Sequence, residues 1–199
     1  MHNHVVHAPL VTPPSHLRRL TLLALGVCIA ALLAALVTML VHTTFASAIA
    51  PFAPTADHGL LADGSTVTLA DDEVPAIAKL DRALLDAMRQ AEMDAASDGL
   101  EFEVTSGWRS TEYQQWLLDD AVEQYASEAV ARQFVATSDR SRHVTGDAVD
   151  IVPIDAQLWL IEHGARYGIC QTYANERWHF ELATQPGGVC PEMKMDAAS

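Results

Sequence analysis

Ser141 to Asp150 reads SRHVTGDAVD and runs straight into the apolar pair Ile151 and Val152. A histidine and two aspartates thus surround a glycine just ahead of a β-branched run, which predicts a short strand over 148–152. Further along, Glu176 to Leu182 reads ERWHFEL and predicts a second strand over 178–182. Side chains alternate across a strand, so Asp150 and His179 project to one side while Val149, Ile151, Trp178 and Phe180 project to the other. An unpartnered carboxylate in an apolar strand is costly to bury, so Asp150 calls for a cation. Asp147 competes for that role only if a helix carries it over His143, and Gly146 with its β-branched neighbours argues against a helix there.

Imidazole nitrogen and carboxylate oxygen are zinc donors, and a catalytic zinc takes three protein ligands and keeps a fourth position open. His143, Asp150 and His179 would supply such a set, presented by two adjacent strands. Glu176 stands three residues before His179, close enough to take a proton from a water that the ion activates. Arg109, in the strand-to-helix turn SGWRS (Ser106 to Ser110), is placed to meet a developing oxyanion. Each residue alone has a plainer reading: a core or surface histidine, a surface arginine, a solvated acid. Trp178 is most simply core, and His163 an exposed residue at a helix end. It is their convergence that carries the metal reading.

Outward from these motifs, the pattern is mixed. Ile77, Leu80, Leu84, Met88, Ala91 and Ala95 share a helical face, with Gly99 after its end. Leu100 to Thr105 alternates as a strand, and Ser110 is placed to cap a helix through Tyr113, Trp116, Leu117 and Ala121. A shorter helix is expected over 128–136, and Asp155 can cap another through Leu158, Trp159, Ile161 and Ala165, ending at Gly168. Helices interleaved with short strands over about 120 residues give an α+β domain.

The N-terminal part is different. Leu20 to Val41 holds no charged residue and is long enough as a helix to cross a hydrocarbon core of about 30 Å. Arg18 and Arg19 precede it and no Lys or Arg follows until Lys79, so the positive-inside rule keeps the N-terminus cytoplasmic and exports the rest. A cleaved signal peptide ending at Ala46-Ser47-Ala48 is the competing reading, but the apolar run exceeds a usual signal core of about 7–15 residues. The expected organisation is a tail over 1–19 containing MHNHVVH, an anchor over 20–41, a linker over 42–73 and a domain over 74–199. Beyond the span lie all 26 acidic residues and 10 of the 12 basic ones, a formal charge of −16. That balance excludes a nucleic-acid partner, which needs a basic footprint. Cys170 and Cys190 fall in the exported part, where disulfides persist, and are expected to pair. Closing that loop stabilises by about 3 kcal/mol.

Ser141-x-His143-x-x-Gly146-x-Ala148-x-Asp150 followed by Glu176-x-Trp178-His179 resembles the VanY-type D-alanyl-D-alanine carboxypeptidases of the M15 zinc peptidase family. SGWRS is similar to that family's Ser-Gly-Tyr-Arg-Ser stretch, and the likeness covers 77–182. The resemblance implies Zn2+ held by His143, Asp150 and His179, Glu176 as catalytic base and Arg109 at the scissile carbonyl. It implies that Gln114 and Ser141 meet the substrate's terminal carboxylate, with Trp178 beside them as a candidate substrate wall. The implied fold is a small antiparallel sheet with flanking helices, shared with hedgehog signalling domains. The implied activity is removal of the terminal D-Ala from a peptidoglycan stem peptide, outside the cytoplasm and at the membrane. L,D-carboxypeptidase, D,D-dipeptidase and stem-peptide endopeptidase activities keep the same chemistry, and an idle zinc domain that binds wall peptide is the alternative of another class. Asp147 and Arg177 depart from the family pattern beside the site.

Overall fold

The structure, a computed structural model, describes residues 15–48 and 52–199. Most of the expected tail, with MHNHVVH, lies outside the described residues. Two compact units divide after Pro51. The first holds helix α1 (Ser15–Ala48), of which Arg18–Val41 is long and apolar enough to cross a membrane. Its side chains from Leu20 to Val41 are exposed all round. The helix runs seven residues past the expected anchor, so the first part of the expected linker is helical.

The second unit begins at Phe52, and residues 52–73 of the expected linker are folded into it. Strand β1 (Val67–Thr68) pairs with β2 (Glu103–Ser106), and Leu69 is fully buried in the core. Arg89 donates to the Leu69 carbonyl at 2.6 and 2.9 Å and pairs with Asp72 at 2.6 Å. A two-residue strand and a single turn are too short to show any period, which is why the sequence reads as spacer there.

Helices α2 (Pro75–Ala78) and α3 (Arg82–Ala95) replace the one helix expected from Ile77. The Asp81 carboxylate accepts from the Ala83 and Leu84 amides at 2.9 and 3.2 Å and starts the second afresh. Ser110 caps α4 (Thr111–Tyr125) as expected, accepting from Tyr113 N at 3.1 Å. The next helix, α5, is a single turn (Glu128–Ala131). Another single turn, α6 (Arg142–Thr145), forms where none was expected and closes at Gly146. It ends before Asp147, which turns aside to Thr145 at 2.6 Å and Arg142 at 3.4 Å. Strand β3 (Ala148–Val152) follows, then α7 (Ile154–His163), preceded by Pro153 and carrying Asp155 in its first turn rather than at its cap.

With β4 (Ile169–Gln171) and β5 (His179–Leu182) the sheet is complete, in the order β1-β2-β3-β5-β4, every pair antiparallel. One face buries Val104, Val149, Ile151 and Phe180 against Leu84, Met88 and Ala91 of α3 and Trp159 and Leu160 of α7. Trp178 is not among them: it is 44% exposed. The turn closed by His179 N to Glu176 O, at 3.2 Å, breaks the alternation one residue before β5 begins. A Cys170–Cys190 disulfide ties β4 to the segment after β5, which bonds back through Lys194 N to Thr172 O at 2.9 Å.

Candidate metal centre

The face of the sheet opposite the core carries the polar residues. Asp150 sits mid-β3 directly across from His179, the first residue of β5. His143 reaches the same point from α6, because Gly146 at φ +78° turns the chain sharply from that helix into β3. A Cβ on Gly146 would stand 2.5 Å from the Lys79 carbonyl oxygen, so no other residue fits that corner without a shift.

The three side chains bring one ligand atom each within 4.8 Å of one another, and all are buried. His143 Nδ1 lies 2.8 Å from the Gly107 carbonyl, and His179 Nε2 lies 2.9 Å from Glu181 Oε1. Those acceptors fix a proton on the outer nitrogens and turn the inner ones to the centre. The inner pair, His143 Nε2 and His179 Nδ1, are 3.1 Å apart, and Asp150 Oδ1 lies 3.4 and 3.3 Å from them. Asp150 Oδ1 is buried and has no hydrogen-bond partner among the described residues. Three electron-pair donors aimed at one point repel unless positive charge sits among them.

The electrostatics say the same. Burial opposes the Asp150 charge, yet His143 and His179 hold its carboxyl well below the usual range. Burial, then Arg109, pushes His143 down to about 4. Burial also works against the charged form of His179, but Asp150 and Glu181 outweigh it and raise its pKa to about 9. Two imidazoles and a carboxylate around an unpartnered buried oxygen are a donor set that fits zinc.

Glu176 is buried beside this group, with Oε2 3.7 Å from His179 Nδ1. Burial pushes its pKa up to about 7. Arg109 lies on the other side, bound at all three nitrogens: Nε to Ser106 Oγ at 2.8 Å, one terminal nitrogen to Gln114 Oε1 at 3.1 Å, the other to Asp150 Oδ2 at 3.1 Å. Gln114, expected to face substrate, has both ends of its amide engaged, since Nε2 donates to the Ala136 carbonyl at 2.8 Å. It therefore braces Arg109. Ser141 is buried at the head of α6, and its hydroxyl takes no part in capping that helix. His163 stands apart, edge-on to Trp159 with ring centres 4.7 Å apart.

Glu181 is the residue that sequence reasoning missed. The signal was present, because two residues after His179 in a strand is the same face. Its carboxylate holds His179 and lies 3.5 Å from Arg142 Nε, which also pairs with Asp147. Hydrogen bonding and charge from His179 keep Glu181 ionised against its burial.

The cleft over this group has two lobes that share Arg109, Leu117, Asp150 and Trp178. The narrow lobe, about 180 Å³, contains His143, His179 and Glu176, and is walled by Gln114, Ser141 and Tyr173. The wide lobe, about 510 Å³, is walled on its far side by residues 59–66. Trp178 thus stands on the rim between them and not in the core.

The family model for VanY, D-alanyl-D-alanine carboxypeptidase, matches residues 77–185. A D-alanyl-D-alanine carboxypeptidase of Enterococcus faecalis (strain ATCC 700802 / V583) is 32% identical over 111 residues, covering 43% of this chain and 41% of the relative. The chain therefore spans less than half the length of that relative. Among solved structures, a variant of the vancomycin-resistance D,D-pentapeptidase VanY from a VanB-type cassette, in complex with Zn(II), aligns with a TM-score of 0.50. It is 27% identical, over 62% of this chain and 82% of that one. The vancomycin-resistance D,D-dipeptidase VanXYg, in complex with a D-Ala-D-Ala phosphinate analogue, aligns with a TM-score of 0.50 at 23% identity, over 65% and 61%. That second likeness is one of fold alone.

Proposed function

This chain belongs to the VanY family of D-alanyl-D-alanine carboxypeptidases, and from that membership and the geometry of its cleft we propose that it removes the terminal D-Ala from peptidoglycan stem peptides. The observation that carries the reading is the meeting of His143, Asp150 and His179 with Glu176 and Arg109 in one cleft. A binding module has no use for a carboxyl poised to exchange protons near neutrality beside an anchored arginine.

His143 Nε2, Asp150 Oδ1 and His179 Nδ1 are the atoms that would hold zinc. The metal, when bound, supplies Lewis acidity, which makes a water nucleophilic at neutral pH. Glu176, beside the candidate ligands, would accept the proton of that water and pass it to the departing amine. Arg109 keeps its guanidinium fixed by Ser106 and Gln114, so its charge faces the carbonyl oxygen as negative charge develops there, without first having to be ordered. The Ser141 hydroxyl, in the narrow lobe, is the donor we assign to the substrate's terminal carboxylate. Trp178 offers its exposed ring to the peptide as it crosses the rim.

Helix α1 anchors the domain in the membrane, with Arg18 and Arg19 on the cytoplasmic side. Protease added to intact cells should then digest the domain, and its protection would reverse the topology. The activity is tested with the full chain in detergent, incubated with tetra- and pentapeptide stems with and without a chelator. Mass spectrometry should show one alanine lost from the pentapeptide, only where zinc is present. Release of a dipeptide, or cleavage of the tetrapeptide alone, would move the scissile bond, and no cleavage of either would end the proposal.

A further inference from the structure

We propose that Gly59 to Thr66 is a specificity wall for the reaction, holding the part of the stem peptide on the amino side of the cleaved bond. The inference rests on the carboxypeptidase reading and goes beyond it, because this segment precedes the stretch 77–185 that defines the family. Nothing in the family's motifs specifies it.

The direction of the substrate comes from the two lobes. Ser141, the assigned partner of the terminal carboxylate, lines the narrow lobe and not the wide one. The single residue that leaves therefore sits in the narrow lobe, about a third the volume of its neighbour. The longer remainder of the peptide crosses the rim at Arg109 and Trp178 and enters the wide lobe. There the opposite wall is Leu60, Leu61 and the turn closed by Ser65 N to Ala62 O at 2.9 Å. Leu60 and Leu61 are half-buried yet belong to neither hydrophobic core of the domain. They face the cavity instead.

The wall is fixed to the elements that carry the chemistry. At one end, Ser110 N donates to the His58 carbonyl at 2.9 Å, one residue beyond Arg109. Gly59, at φ +90°, lies so close under this turn that a Cβ would stand 2.0 Å from the Trp108 carbonyl oxygen. At the other end, Thr66 Oγ1 donates to Glu103 at 2.8 Å, and β1 pairs with β2, the strand beside Asp150's own. A loop stapled at both ends to the frame of the site presents a preformed surface, which lowers the cost of ordering a bound peptide.

The test uses two variants of the full chain, Leu61→Trp, which fills the lobe, and Leu60→Ser with Leu61→Ser, which strips its apolar lining. Each is assayed on a pentapeptide stem and on a short N-acetylated D-Ala-D-Ala, whose single retained residue reaches the rim but not the far wall at Leu60 and Leu61. Unfolding temperature and zinc content confirm that both variants fold. The ratio of kcat/KM, pentapeptide over short substrate, should fall about tenfold in both, through KM rather than kcat. A ratio unchanged in both variants would overturn the wall. Should the native chain cleave neither substrate, the carboxypeptidase reading fails separately. Calorimetric binding of intact pentapeptide then reads the wall: about tenfold weaker binding by the variants supports it, and equal affinity overturns it.

Discussion

Glu181→Ala should strip zinc from the site without removing a ligand. In the native protein Glu181 Oε1 lies 2.9 Å from His179 Nε2, and both residues are buried. That contact fixes the ring's tautomer, points Nδ1 at the centre and raises its basicity. Alanine leaves Nε2 facing a cavity, and Arg142, 3.5 Å from the second carboxylate oxygen, keeps only Asp147. Loss of such an outer partner weakens metal binding by about 10–100-fold. That range corresponds to about 1.4–2.7 kcal/mol. Glu181→Gln keeps an acceptor of the same reach and loses only the charge, so it should fall between native and alanine. Asp147→Ala removes the other partner of Arg142, at the surface, and should change zinc affinity by less than about threefold. Competition against a chromogenic chelator at fixed pH, with circular dichroism confirming the fold, gives all three constants. If Glu181→Ala holds zinc as tightly as the native chain, the claim that this carboxylate orients His179 is wrong.

Glu176→Gln should lower kcat by about 10²–10⁴-fold while zinc content stays near one per chain, as kinetics and metal analysis on the same preparation would show. Gly146→Val forces a side chain against the Lys79 carbonyl at a positive φ, so zinc content and unfolding temperature should both drop. Normal zinc content in that variant would refute the role given to the corner. Replacing Cys170 and Cys190 together by serine should cost about 3 kcal/mol, read by denaturant unfolding, and leave activity at low temperature nearly intact, since neither sulfur lines the cleft.

The candidate ligand set was legible in the sequence because its members fall within two short motifs. Asp150 and His179 were readable from strand alternation and His143 from its donor chemistry and the family motif it sits in, and all three do converge. Trp178 was misread by the same rule, since a turn that consumes one residue leaves no mark on hydrophobic alternation. Gln114 illustrates a different limit: the sequence placed it at the site, but only the Ala136 carbonyl, 22 residues away, decides that its amide faces inward to brace Arg109. The segment 52–73 was illegible for a third reason. It gains its structure from edge pairing to β2 and from contact under Trp108, both long-range, and carries little propensity of its own.

The metal centre and the core are two faces of one register. Val149 lies opposite Phe180 and Asp150 opposite His179, so the apolar pair that fills the core also fixes which polar pair meets above it. A slip of one residue would send Asp150 and His179 into the core and Val149 out to the cleft, at a cost in buried charge that the fold could not sustain. The next pair on the site face is Ala148 opposite Glu181. Because alanine is small, Glu181 meets no bulky side chain from β3, and with Cys170 opposite it on β4 it lies back along its own strand onto His179. The same alternation that hides phenylalanine and valine from water thus lines up a carboxylate, an imidazole and a second carboxylate in sequence. The orienting contact behind His179 follows from that register rather than from any loop.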